Sequence, residues 1–213
     1  MTKFKIAYID ESEADIRRFQ RFSFNYFDVV PFIPKDSIEE TCNDILESHV
    51  DAVISDFEFN EQLSTVHYDG ASLISLFLKK REGFPVFILT SYEDDAVSKG
   101  EDVNIIYEKK EMDEGEKGEK FLERVKAQIE KYKHKQEVDE NRILELIAKH
   151  RKEGLNAAEL DELAELDSKI EKELDKEGSI PNILREGKEA FDLSELLKKV
   201  DELANKLDEK NKK

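Results

Sequence analysis

The chain is predicted to be an α/β protein: a five-stranded, doubly wound parallel sheet followed by a helical hairpin or coiled-coil-like region. Three observations carry this expectation. Short apolar runs alternate with amphipathic stretches over residues 1–113, the pattern of repeated βα units with helices on both faces of a parallel sheet. Eleven of the thirteen phenylalanines lie at or before Phe87, so an aromatic core belongs to the first half. The charge density also changes: residues 1–113 hold 24 acids and 12 bases, whereas 114–213 hold 27 acids and 22 bases in Leu/Glu/Lys-rich helical sequence. The stretch Asp113-Glu114-Gly115-Glu116-Lys117-Gly118 reads as the hinge. The expected domains are therefore 1–116 and 117–213.

Each element has its own signal. "FKIAYID" (4–10) is a strand that ends in acid. Ser12 to Phe22 reads as a helix, with Ile16, Phe19 and Phe22 on one side. "VVPFI" is a short strand whose proline favours a sheet edge. "DSIEETCNDILESH" opens on a capping signal, Ser37 with Glu40 three residues later. "DAVISD" (51–56) is the third strand. "GASLISLFLKKR" is a helix with Leu73, Leu76 and Phe77 inward. "FPVFILTS" is almost wholly apolar and so buried on both faces. A short helical stretch spans Asp94 to Lys99, and "VNIIYEK" (103–109) is the fifth strand.

The second half reads as three helices, about 119–151, 157–176 and 193–209. Leu122, Val125, Ile129 and Tyr132 recur at helical spacing, and Ile143, Leu146 and Ile147 continue the stripe. Gly154 stops the first helix. Asn156 with Glu159 opens the second in the manner of a capping box. Phe191, Asp192, Glu195 and Leu196 repeat that logic for the third. A charged helix with a single apolar stripe must pair within the chain or with another chain. A plain stabilising bundle and a docking or dimerisation module both satisfy that need.

Composition narrows the function. Net charge is −17 and the pI is about 4.8, which argues against duplex nucleic acid or an anionic membrane as partner. The single cysteine, Cys42, permits no intramolecular disulfide and reads as a small helix residue. No apolar run approaches the length of a membrane span, and the first residues do not form a signal peptide. The expectation is a cytoplasmic protein. There is no Gly-rich phosphate loop, no Cys/His metal cluster and no basic recognition helix.

The chemistry lies at the strand ends. Strand one ends in Asp10-Glu11, strand three in Asp56, strand four in Thr90-Ser91, and strand five in Lys109-Lys110. A parallel sheet brings these ends to one edge, where ligands of such sheets bind. Gathered carboxylates repel one another unless a cation joins them. A hard divalent ion such as Mg²⁺ suits oxygen ligands, and a lysine and a hydroxyl beside it suit phosphoryl oxygens. Asp56 can then serve as a nucleophile. Taken singly, Asp10, Glu11 and Asp56 also read as caps, Thr90 as a strand residue and Lys109 as a solvated lysine.

Together, Asp10-Glu11, Asp56, Thr90 and Lys109 resemble the pattern of response-regulator receiver domains, over residues 3 to about 116. The resemblance implies phosphoryl transfer from a phosphohistidine, on a histidine kinase or phosphotransfer protein, to Asp56. It implies Mg²⁺ held by Asp10, Glu11, Asp56 and the backbone carbonyl of Glu58, with Thr90 and Lys109 on the phosphoryl oxygens. Asp69-Gly70 resembles the family's Asp-Gly before the third helix. The spacing departs from the pattern: Asp56 to Asp69 is thirteen residues instead of seven, so "FEFNEQLSTVHY" forms a longer loop beside the site. The lysine is followed by Lys110 instead of proline. The apolar register of Ile105, Ile106 and Tyr107 favours Lys109, while an aromatic three residues earlier, Tyr107, favours Lys110. A pseudo-receiver that keeps the fold without phosphorylation is the alternative. Haloacid-dehalogenase-type phosphatases also use an aspartyl phosphate, but their nucleophile lies on the first strand. His67 reads as solvent-facing, and His134 and His150 lack kinase-like surroundings. The implied output is protein contact, with a partner or a second copy, through the helical half.

Overall fold

A computed structural model describes residues 3–59, 65–91 and 106–174. The expected helix at 94–99, the start of the fifth strand and the helix at 193–209 lie outside the described residues. The described elements run β1 Phe4–Ile9, α1 Glu13–Ser23, β2 Phe27–Phe32, α2 Ile38–Glu47, β3 Ala52–Asp56, α3 Gly70–Lys80, β4 Val86–Thr90 and β5 Ile106–Glu108. A 3₁₀ turn at Lys109–Asp113 leads into α4, Gly115–Glu153, and α5, Ala157–Leu174, follows. Two compact units divide the chain, Met1–His134 and Lys135–Lys213.

In the first unit all four strand pairings are parallel, in the order β2-β1-β3-β4-β5. This is the doubly wound, flavodoxin-like order. Period-2 alternation explains how one sheet feeds two cores. Ala7 and Ile9 of β1, Val53 of β3, and Val86 and Ile88 of β4 face Cys42 and Ile45 of α2 and Leu73, Ile74 and Phe77 of α3. Ile6 and Tyr8, Ala52 and Ile54, and Phe87 and Leu89 face the opposite way. There they meet Ile16 and Phe19 of α1 and Phe121, Leu122, Val125 and Ile129 of α4. The stripe that begins at Phe121 is therefore part of the sheet's core. Tyr132 adds an edge-on contact to Phe84, and Lys133 pairs with Asp51 at 2.6 Å. The sequence-based division falls between residues 116 and 117, and these side chains pack the next four turns against the sheet.

Caps form where the sequence signals them. Ser12 accepts the Asp15 amide, Ser37 the Glu40 amide and Asp69 the Ser72 amide, each satisfying an amide that a helix start leaves without an intrahelical partner. β2 lies at the edge of the sheet, where the missing N–H of Pro31 costs no ladder bond.

In the second unit, Asp139 pairs with Lys169, Arg142 with Glu162 at 2.7 Å, and Lys149 with Glu159 at 2.5 Å. Later positions on α4 meet earlier ones on α5, so the two run antiparallel. Ile143, Leu146, Ile147 and Leu163 are buried between them. Gly154, at φ 82°, donates its amide to the His150 carbonyl and ends α4 in the left-handed conformation that glycine adopts without strain. Asn156 and Glu159 then cap reciprocally, amide to side chain in both directions, at 3.1 and 3.0 Å. Among the described residues no helix is long and apolar enough to cross a membrane.

Candidate functional site

The sheet order reverses between β1 and β3, and ligands of such folds bind outside the carboxyl ends of the strands at that reversal. Asp10 follows β1, and Asp56 ends β3 beside it. Thr90 ends β4, one position beyond the Leu89 that pairs with Asp56. Lys109 follows β5 directly. Each acid thus ends an apolar run that the core holds rigidly. All five side chains predicted for the site, Asp10, Glu11, Asp56, Thr90 and Lys109, are buried.

One carboxylate oxygen each from Asp10, Glu11 and Asp56 lies within 4.8 Å of the others. Lys109 Nζ sits 2.9 Å from Asp10 Oδ2 and 3.0 Å from Asp56 Oδ2. The two neighbouring lysines differ in exposure. The Lys109 side chain is 10% exposed and enters the acidic cluster, whereas that of Lys110 is 64% exposed and pairs with Glu108. Asp56 Oδ1 accepts its own following amide, that of Phe57, at 2.8 Å. Glu58 is half-buried just after β3.

Electrostatics at Asp56 are finely opposed. Burial raises its pKa, Lys109 pulls it back, and Asp10 and Glu11 raise it again, leaving it at about 7 instead of 3.8. Burial alone would lower the Lys109 pKa, but Asp56 and Asp10 outweigh it and push the value up. Lys109 pairs with Asp10 and Asp56, and Glu11 adds a third buried carboxylate oxygen beside theirs, a grouping of like charges that a cation would stabilise. The donor set, buried hard oxygens at close quarters, fits a divalent ion such as Mg²⁺.

The backbone beside Asp56 is constrained by the start of α3. The Gly70 amide donates to the Phe57 carbonyl at 2.8 Å. A Cβ on Gly70 would lie 1.7 Å from the Asp56 carbonyl oxygen, so only glycine lets this helix approach. The long loop after β3 is anchored at both ends. Phe57, Phe59 and Val66 are buried, and the Tyr68 hydroxyl donates to the Lys35 carbonyl at 2.7 Å. Residues 60–64 of that loop lie outside the described residues.

Three contributors were not singled out by sequence reasoning. Tyr8, inside β1, donates its hydroxyl to Asp10 Oδ2 at 2.9 Å. Asp15 lies 3.6 Å from Lys109 Nζ. Arg18 donates to the Lys109 carbonyl at 3.4 Å and pairs with Asp113. A signal existed for Tyr8, because a buried tyrosine needs a partner for its hydroxyl and the nearest acid in sequence is two residues on.

The strand order and all-parallel pairing define a doubly wound, flavodoxin-like fold. No protein-family model matches the chain, and no curated protein matches it. Among solved structures, the chain is similar to the apo receiver domain of nitrogen regulatory protein C. The TM-score is 0.47 and identity 19%, covering 62% of this chain and 99% of that one. It is also similar to the two-component response regulator RcsB in complex with DNA, at TM-score 0.44 and 14% identity, covering 81% and 92%. RcsB of Salmonella typhimurium gives 0.43 and 15%, covering 95% and 98%.

Proposed function

We propose that the protein is a two-component response regulator that accepts a phosphoryl group on Asp56 and acts through protein contact. The observation that carries this reading is the convergence of Asp10, Glu11, Asp56 and Lys109 at the switch point of the sheet. An Asp56 oxygen attacks the phosphorus of the donor, and the P–N bond to a phosphohistidine breaks. Its electron pair leaves with the imidazole, which takes a proton from solvent. Asp10, Glu11, Asp56 and the Glu58 carbonyl would hold Mg²⁺, which supplies charge neutralisation for the incoming phosphoryl oxygens. Lys109 contributes a fixed positive charge and Thr90 a hydroxyl donor to the same oxygens. A histidine kinase or phosphotransfer protein is the donor in this reading.

The nucleophile must be ionised, and the metal-free pKa of about 7 leaves Asp56 partly protonated at neutral pH. Held by Asp10, Glu11 and Asp56, a divalent cation would favour the charged form of Asp56. The helical half supplies the output, a second copy of the chain being the first partner to test. In support, that half carries amphipathic stripes and a net negative charge, features that suit protein contact better than nucleic acid.

The test is incubation with Mg²⁺ and acetyl phosphate, followed by intact-mass measurement of the parent and of Asp56→Ala. An adduct of about 80 Da, one phosphoryl group on a carboxylate, is expected on the parent only. No adduct on either protein would favour a receiver-like scaffold that is not phosphorylated. Steady turnover of phosphate esters would favour a phosphatase. Light scattering of the full chain before and after phosphorylation tests self-association.

A further inference from the structure

Asp10 is the most deeply buried member of the acidic cluster, and both of its carboxylate oxygens accept hydrogen bonds. Its Oδ1 accepts the Ser12 amide at 2.8 Å. Its Oδ2 accepts both the Lys109 ammonium and the Tyr8 hydroxyl, each at 2.9 Å. Lys109 is shared with Asp56, but the Tyr8 hydroxyl has Asp10 as its partner. The phenol is rigid for two reasons. Tyr8 is fully buried within β1, paired on both sides by β2 and β3. Its ring stacks on Phe19 of α1, with centroids 4.2 Å apart and planes 3° from parallel. Tyr8, two positions before the acid that follows β1, thus reaches forward to it.

We infer that Tyr8 is a positioning residue: its hydroxyl, locked by the Phe19 stack, orients the Asp10 carboxylate for a divalent ion bound among Asp10, Glu11 and Asp56. The inference rests on the metal reading given under Proposed function. The physical reason is directional. A carboxylate held at both oxygens keeps one rotation about its Cβ–Cγ bond, and its remaining lone pairs then point in fixed directions. Without the phenol, Oδ2 keeps Lys109 as its one partner among the described residues, and Lys109 is pulled towards Asp56 and Asp15 as well. Hydrogen-bond partners of metal ligands commonly change metal affinity by about 10–100-fold when removed.

The test compares the full-length parent with Tyr8→Phe, which keeps the ring and its stack and deletes one oxygen. Mg²⁺ binding is measured by titration calorimetry, and the phosphoryl adduct is measured at saturating Mg²⁺. The expected result is a Mg²⁺ Kd about tenfold weaker or more, with adduct recovered to the parent level once Mg²⁺ saturates. A purely structural role would leave the Kd alone and lower the melting temperature instead. A Kd within twofold of the parent overturns the inference. A parent that binds no Mg²⁺ overturns the metal reading and this inference with it. A second measurement needs no variant: the Tyr8 ¹³Cζ resonance of the parent is followed during the Mg²⁺ titration. It is expected to shift with the same Kd as the calorimetric signal, and a resonance that stays still overturns the inference.

Discussion

Cutting the chain after residue 116 should unfold the sheet, while cutting after His134 should preserve it. Phe121, Leu122, Val125 and Ile129 of α4 are all buried against the face of the sheet that also receives Ile16 and Phe19. Burying a large apolar side chain stabilises by about 1.5–3 kcal/mol, so these four together contribute roughly 6–12 kcal/mol. Whole domains of this size are stable by only about 5–15 kcal/mol. Truncation at 116 removes a contribution comparable to that whole stability and exposes Phe87 and Leu89, which lie on the same face. The assay is urea unfolding of fragments 1–116 and 1–134, followed by circular dichroism. Fragment 1–134 should give a cooperative transition. Fragment 1–116 should give none, or one of far lower midpoint. Equal midpoints would refute the assignment of these four turns to the sheet's core.

Other perturbations address the site. Asp56→Asn should stabilise the metal-free protein at pH 8 and leave it unchanged below about pH 3.8. The Asp56 pKa is raised from 3.8 to about 7, so the folded state binds more protons between those values and stability falls as pH rises through that window. The shift corresponds to a gain on the order of 4 kcal/mol above pH 7, read by urea midpoints in chelator; a variant no more stable than the parent at pH 8 would contradict it. Lys109→Met removes the ammonium between Asp10 and Asp56 and should cost roughly 3–5 kcal/mol in metal-free buffer, measured in the same way. Gly70→Ala drives a methyl group to 1.7 Å from the Asp56 carbonyl. It should cost about 1–3 kcal/mol and slow adduct formation, and a variant with parent-like melting and rate would show that α3 can move freely.

Much of the fold was legible because strands buried on both faces announce themselves. Val86 to Leu89 has no polar position, and Ile6 to Ile9 switches faces residue by residue. The candidate site was legible for the same reason: an acid, a hydroxyl or a lysine directly after such a run has one place to go, the sheet edge. What sequence could not assign was the partner of an amphipathic stripe. Phe121, Leu122, Val125 and Ile129 repeat at the spacing of any half-buried helix, and that spacing does not distinguish a sheet from a second helix. Three-dimensional neighbours were hidden too. Asp15 and Arg18 carry no sequence signal for the site, yet Asp15 lies near Lys109 Nζ and Arg18 donates to the Lys109 carbonyl. The choice between Lys109 and Lys110 turned on one residue of register, and the competing apolar and aromatic signals of Ile105, Ile106 and Tyr107 leave that register open until the burial of each lysine is known.

The most direct test of the site is the mass of the protein after incubation with acetyl phosphate and Mg²⁺, for the parent and for Asp56→Asn. A hydroxylamine-labile gain of about 80 Da on the parent, absent from the variant and abolished by chelator, is the expected result for an aspartyl phosphate. A parent that stays at its starting mass under these conditions, or a variant that gains the same mass, would contradict Asp56 as the phosphoryl acceptor.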